Sequence, residues 1–297
     1  MRYLRGEIVL FITAMIWGFA FAFQSSGADY VGAFTFNAFR FLLGAISLLP
    51  IMRFNRSGLD MRKCLKSGVI LGAMIFMGST LQQIALIDTP SGKAGFISSL
   101  YMIFTPILGY IIFKTHTDKK VVLALILGVC GMYLINGASF EFELSDILLV
   151  ISSLFFALHI IFVDKFAKDV NSVALSLIQY VTAGIIALVL SLIFESGDIM
   201  KIAPAIPAVL YTGILSTGVA YTLQIVGQKK TEPAIASLIL SLESVVSVFG
   251  GFILLGETLS LVEIFGCILM FIGVLIAQRR NDGQRPKRVK RDLEQDR

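Results

Sequence analysis

Charge is what this sequence has least of. Asp, Glu, Lys and Arg make up 15% of its 297 residues, against 56% apolar residues, where soluble domains carry about 25% charge. A soluble protein of this composition would expose large apolar patches and aggregate. Histidine and cysteine are also scarce, at two and three residues, and Cys64, Cys130 and Cys267 lie far apart. There is no C-x-x-C and no histidine at ligand spacing, so neither a disulfide nor a metal site is expected. The phosphate-binding loop is missing as well. Ser91-Gly92-Lys93 continues with Ala94, and Ile87 stands where that motif needs its first glycine. No G-x-S-x-G, H-E-x-x-H or carboxylate pair occurs in a suitable context. ATP, other cofactors and a catalytic role are therefore not expected. The net charge of +5 does not point to nucleic acid, because the basic residues sit in loops and the tail without a recognition motif.

What is present is a series of apolar runs. A helix needs about 20 apolar residues to span a bilayer, and ten segments qualify: 7–26, 32–52, 66–87, 92–113, 119–137, 145–164, 172–194, 206–228, 232–255 and 259–278. Arg2 and Arg5 before the first raise the alternative of a signal peptide. Its apolar stretch is long, however, and cleavage would remove the partner of segment six. Gly68-x-x-x-Gly72 and Gly250-Gly251 allow close helix approach.

The chain also repeats itself. A shift of 142 residues puts Thr80-Leu81-Gln82 on Thr222-Leu223-Gln224, Thr89 on Thr231, Ala94 on Ala236, Ser99-Leu100 on Ser241-Leu242, Gly109 on Gly251 and Gly131 on Gly273. Each half holds five segments, so the second copy enters the membrane from the opposite side. The expected fold is all-α and integral to the membrane, with ten transmembrane helices in two inverted five-helix repeats, 1–139 and 140–278. Residues 279–297 form a basic cytoplasmic tail, too polar to bury a core and expected to be disordered, with anionic lipid as a possible partner. Orientation follows from the basic residues. With the N-terminus inside, 22 of the 25 Lys and Arg fall on the cytoplasmic side; only Lys93 and Lys201 fall outside, and Arg40 lies within the membrane. Glu141, Glu143, Asp146, Glu195 and Asp198 make the outer loops acidic. Both termini are then cytoplasmic.

Charge inside hydrocarbon is costly, which singles out Arg40 and Glu243. They lie roughly 12 Å and 17 Å into their segments at 1.5 Å per residue, near the middle of a core about 30 Å thick. Each needs a partner, a water-filled cavity or, for Glu243, a proton. Glu243 is a candidate substrate-amine or proton site, and Arg40 a candidate carboxylate anchor. An ion pair between the two, or Arg40 as a brace for helix ends, is the structural alternative. At the 142-residue shift Glu243 falls on Tyr101, His159 on Trp17, Gln224 on Gln82 and Thr222 on Thr80. Inverted-repeat transporters build their sites from such midplane positions. Trp17, Gln82, Tyr101, His159, Gln224 and Glu243 are the candidate substrate-binding residues. Taken singly, each also reads as a packed aromatic or an interhelical hydrogen bond.

Several motifs carry a family resemblance: Trp17-Gly18, Arg40-Phe41, Ala94-Gly95-Phe96-Ile97-Ser98-Ser99-Leu100 leading to Thr105-Pro106, and the run from Ser237 through Leu242-Glu243-Ser244-Val245-Val246 to Leu255-Gly256-Glu257-Thr258. From residue 5 to about 278 the chain resembles the drug/metabolite transporter superfamily, EamA type. It departs at Lys114-Thr115, where many members carry Gly-Glu. The resemblance implies a basket in which helices 1, 3, 4, 6, 8 and 9 enclose a central cavity, with helices 5 and 10 apart from it. It also implies a secondary transporter of small organic solutes, such as an amino acid, in the cytoplasmic membrane. An exporter of drugs or toxic metabolites on the same fold is the alternative. A non-transporting assembly partner or enzyme fits the midplane polar pairs less well.

Overall fold

The computed structural model describes residues 2–54, 60–135, 143–168, 170–195, 201–255 and 260–278. The expected disordered tail, the Gly256-Glu257-Thr258 stretch, Glu141 and Asp198 lie outside them. Among the described residues the chain is helical, without strands. In order come α1 (Arg2–Ala28), α2 (Ala33–Phe54), α3 (Met61–Ala85), α4 (Ser91–Ser98), α5 (Tyr101–Phe113), α6 (Lys119–Ile135), α7 (Leu144–Phe166) and α8 (Ser172–Phe194). After them come α9 (Ile206–Leu210), a π-helical stretch (Tyr211–Tyr221), α10 (Thr222–Gln228), α11 (Pro233–Leu240), α12 (Glu243–Gly250) and α13 (Leu261–Gln278). Among the described residues, eight helical spans are long and apolar enough to cross a membrane. The expected fifth and tenth spans appear as the shorter α6 and α13, whose flanking residues 136–142, 256–259 and 279 onward lie outside the described ones.

Helix ends are closed by side chains, because terminal backbone groups need partners. Asp60 caps α3 through the Lys63 amide at 3.1 Å, and Asn171 caps α8 through the Ala174 amide at 3.0 Å. Glu143 and Asp146 form a reciprocal capping box on α7. The α2 N-terminus is capped from a distance in sequence: Glu195, at the end of α8, accepts from the amides of Phe34 (3.1 Å) and Thr35 (2.7 Å). An anion at that end also complements the helix dipole. Glu195 thereby fixes the antiparallel pairing of α2 with α8.

Packing sorts the helices. The α6 helix lies mainly on α13, α2 on α8 and the π-helical stretch, α3 on α7 and α8, and α1 on α12, α10 and the π-helical stretch. Backbones touch where side chains are absent. A Cβ on Gly131 would stand 2.6 Å from the Gly266 carbonyl oxygen, so α6 and α13 meet almost backbone to backbone. A Cβ on Gly18 would strike Val246 and stand 2.8 Å from the Glu243 carbonyl oxygen.

Two expected continuous helices are broken. Segment four divides into α4 and α5 at Ser99-Leu100, and segment nine into α11 and α12 at Ser241-Leu242. The two breaks fall on residues related by the 142-residue shift. At each, bonding tightens to the i→i−3 pattern, as in Met102 N–H to Ser99 O (3.0 Å) and Ser244 N–H to Ser241 O (3.1 Å). The hydroxyls of Ser237, Ser241, Ser244 and Ser247 each bond the carbonyl three residues back, and such back-bonding bends helices. The eighth segment departs differently, winding as a π-helix for eleven residues, Tyr211–Tyr221.

Gly131→Val should wedge α6 from α13 and destabilise the protein by about 1–3 kcal/mol, the usual range for overpacking. A melting curve in detergent checks this. A melting temperature equal to that of the parent would show that the backbone approach is not needed.

Candidate functional site

The breaks and the π-helical stretch surround one narrow cavity. Its lining comes from α1 (Trp17, Phe21, Gln24), α2 (Arg40), α3 (Gln82), α5 (Tyr101), α7 (Phe156, His159), the π-helical stretch (Ser216, Tyr221), α10 (Gln224) and α12 (Glu243). Trp17, Gln82, Tyr101, His159, Gln224, Glu243 and Arg40, picked from sequence, all meet there. Neither α6 nor α13 contributes a lining residue. The second segment does contribute one, Arg40, although the resemblance does not place that helix around the cavity. About 30 Å³ is open to the centres of water-sized spheres, which is room for one or two waters and well short of the several hundred Å³ of a usual ligand pocket.

Arg40 is 3% exposed and is held by neutral groups alone. Its guanidinium donates to Gln24 Oε1 (2.6 Å), Thr217 Oγ1 (3.2 Å) and, more weakly, Ser216 Oγ (3.4 Å). Local backbone explains the reach: a Cβ on Gly213 would stand 3.1 Å from the Arg40 carbonyl oxygen, so α2 lies directly against the π-helical stretch. Among the described residues no carboxylate comes within ion-pair distance of Arg40, and the ion pair with Glu243 is not formed.

Glu243 opens α12, immediately after the break, and is 5% exposed. It lies beside Tyr101 and Ser99, so residues at the two breaks face each other. The Tyr101 hydroxyl and Gln224 Oε1 are buried with no hydrogen-bond partner in the protein. Gln82 donates to Ser98 Oγ at 3.0 Å. His159 Nε2 is paired with Gln179 Oε1 at 3.0 Å.

Tyr221 organises the aromatic wall. Its ring lies 4.6 Å from Trp17 and 5.9 Å, edge to face, from His159. The Trp17 indole donates to the Ser216 carbonyl at 3.1 Å, tying α1 to the π-helical stretch. Thr80 and Thr222 stay outside the cavity. Thr80 accepts from Asn37 (3.3 Å), and Thr222 pairs with Tyr180 (3.0 Å), so both join neighbouring helices.

Tyr221, Gln24 and Ser216 are lining residues that the sequence reading misses. A weak signal existed for Tyr221, which directly precedes the repeated Thr-Leu-Gln. Gln24 and Ser216 gave none, since each is an ordinary polar residue until Arg40 lies beside it.

A polar cavity walled by broken helices inside an apolar bundle fits what relatives of this chain are called. The EamA-like transporter family model matches residues 4–137 and again 143–278. The chain belongs to the EamA-like transporter family. An uncharacterized transporter of Archaeoglobus fulgidus is 30% identical to it, over 93% of this chain and 87% of that protein. The uncharacterized inner membrane transporter YedA of Escherichia coli K12 is 24% identical, over 89% and 90% of the two chains. A solved crystal structure, 16% identical, superposes with a TM-score of 0.77 over 94% of this chain and 99% of that one, and so shares the fold. This EamA-like chain is a multi-pass transporter of the cell membrane, and its family indicates transport of a small molecule rather than catalysis.

Trp17 is the only tryptophan and stands in the wall of the cavity. Its emission should change when a cavity ligand binds, and the signal should vanish in Trp17→Phe. A fluorescence titration against candidate solutes checks this. Saturable transport of a solute that leaves the emission untouched at saturation would place its binding elsewhere.

Proposed function

We propose that this EamA-like chain is a secondary transporter that moves a small organic metabolite, an amino acid or related solute, by alternating access. Its two halves, 1–139 and 140–278, are inverted repeats, and both ends of the chain face the cytoplasm. The matching breaks at Ser99-Leu100 and Ser241-Leu242 support the repeat, as does the family model that matches each half. Discontinuous helices are where such transporters hold substrates and coupling ions.

The observation that carries the proposal is the pair of buried ionisable side chains. Arg40 from the first half and Glu243 from the second line one cavity without neutralising each other. A solute with a carboxylate and an amine complements both, in a state of the alternating cycle whose cavity is wider than this one. Unpartnered Tyr101 and Gln224 atoms supply further hydrogen bonds, and Trp17, Phe21, Phe156 and Tyr221 supply an apolar wall. Glu243 is also the candidate carrier of a coupling proton. The aromatic wall supports a second reading, export of lipophilic drugs or toxic metabolites; titrating Trp17 emission with amino acids and with lipophilic cations separates the two.

Alternation requires closing each end in turn, and an ion pair spans the two halves at the expected outer end. Lys93 Nζ at the start of α4 lies 3.0 Å from Asp146 Oδ2 at the start of α7, whose side chain is 2% exposed. Lys93→Gln removes the cation while leaving Asp146 to cap α7. The outer end should then open more often. A cysteine at Ala20, which lines the cavity from α1, in a chain lacking the three native cysteines, should react several-fold faster with an impermeant maleimide added outside. An unchanged rate would remove the pair from gating.

Glu243→Gln should leave the protein folded and inserted. Substrate binding should lose pH dependence, and uphill transport should fail while exchange survives. If Glu243 is instead purely structural, Glu243→Gln should lower the melting temperature. Wild-type pH dependence in a well-folded Glu243→Gln protein defeats the coupling role.

A further inference from the structure

An apolar groove lies away from the cavity, between two helices that are neighbours in sequence. Only residues 114–118 separate α5 from α6, and helices joined by so short a loop usually pack together. These two pack elsewhere, α5 on α7 and α11, and α6 on α13. The gap between them is a groove of about 610 Å³. Ile103, Ile107 and Ile111 form one wall, and Val122, Ile126 and Val129 the other. Leu125, buried at 9% exposure, lies at its floor. In a bilayer such a groove is open to hydrocarbon chains.

The mouth of the groove is polar and basic. Tyr110, Thr115, His116 and Thr117 line it, and the connecting loop carries Lys114, with Lys119 and Lys120 opening α6. Lys114 closes α5 in the left-handed conformation, at φ 53°, and is the one non-glycine residue with positive φ among those described. Glycine would occupy that position more comfortably; a lysine there sets an ammonium 5.4 Å from the Tyr110 ring, at the mouth. Lys165 adds a further cation over the nearby Phe113 ring. The single acid of the loop, Asp118, accepts from the Lys120 amide at 2.8 Å and so serves as a helix cap. The mouth therefore carries a net positive charge, and under the orientation that the basic residues give the whole chain it lies at the cytoplasmic surface.

We propose that this groove is a binding site for an anionic phospholipid, with an acyl chain between α5 and α6 and the phosphate at the Lys114–Lys120 loop. A basic pocket between membrane helices, continuous with an apolar trough, suits a negatively charged headgroup joined to a hydrocarbon chain. A zwitterionic lipid would fill the trough equally well but gain less at the mouth. The lipid would fill the gap that α5 and α6 leave, whatever solute the cavity carries.

Native mass spectrometry of the full chain in detergent tests this, with phosphatidylglycerol and phosphatidylcholine of identical acyl chains as probes. Phosphatidylglycerol should be retained about tenfold better. Lys114→Asn with Lys119→Gln should remove most of that preference, since asparagine tolerates the left-handed conformation and Lys119 is exposed. Lys114→Arg with Lys119→Arg should keep it. Ile126→Trp, which fills the trough, should lower retention of both lipids several-fold in a protein that elutes and melts as the parent does. Equal retention of the two lipids by the parent would overturn the proposal. So would an unchanged preference in the Asn/Gln variant, with the preference lost instead when the basic tail after residue 278 is neutralised. Occupation of the groove by a lipophilic cation in place of phosphatidylglycerol would overturn it in favour of a side entrance for solutes.

Discussion

A guanidinium in hydrocarbon must be surrounded by acceptors, and Arg40 is the group around which this interior is assembled. Its donors reach α1 through Gln24 and the π-helical stretch through Ser216 and Thr217. The Gln24 backbone carbonyl in turn accepts from Gln83 of α3 at 2.9 Å. Four elements are thus joined around one cation, and three of them come from the first half of the chain. The surrounding hydrocarbon offers these groups no partner, so the protein itself supplies the acceptors. Neutral partners hold the cation without cancelling it, so its field stays directed into the cavity. A carboxylate partner would have made the same site electrostatically inert.

The same requirement shapes the backbone around the cavity. Irregular helix is tolerated at membrane depth only where it is buried in protein or lines a cavity, and the Ser99-Leu100 and Ser241-Leu242 breaks meet that condition. Serine hydroxyls satisfy nearby carbonyls along α11 and α12. Glycines then let α1 approach α12 at Gly18 and α4 approach Ser247 at Gly95. Close contact on one side and a break on the other leave Glu243 facing Tyr101 rather than lipid. Packing and site are therefore one arrangement: moving the Gly18 contact would move the Glu243 backbone with it.

The apolar segments were legible because the bilayer imposes a length and an apolarity on anything that crosses it. So were the residues that meet in the cavity, since ionisable and amide side chains deep in an apolar run stand out against their neighbours. The breaks were harder to see. Ser-Leu is an unremarkable pair in an apolar helix, and only its recurrence at the 142-residue shift hinted at a special position. The π-helical stretch left no trace, because its residues are those of an ordinary membrane helix. Gln24 and Ser216 were silent, and Tyr221 nearly so, for a related reason: their role arises from what they face.

By itself the sequence determined that the chain is helical and made for a membrane, that its two halves are related, and which side chains are too polar for lipid. Those follow from composition, spacing and self-similarity, which are local properties of the chain. Tertiary structure alone decided that Arg40 bonds to Gln24, Ser216 and Thr217 instead of Glu243, that Tyr221 joins Trp17 and His159, and that α5 and α6 part to leave a groove. Partner choice depends on distances between residues far apart in sequence, such as Arg40 and Thr217, 177 positions apart, and only the packed helices set those distances.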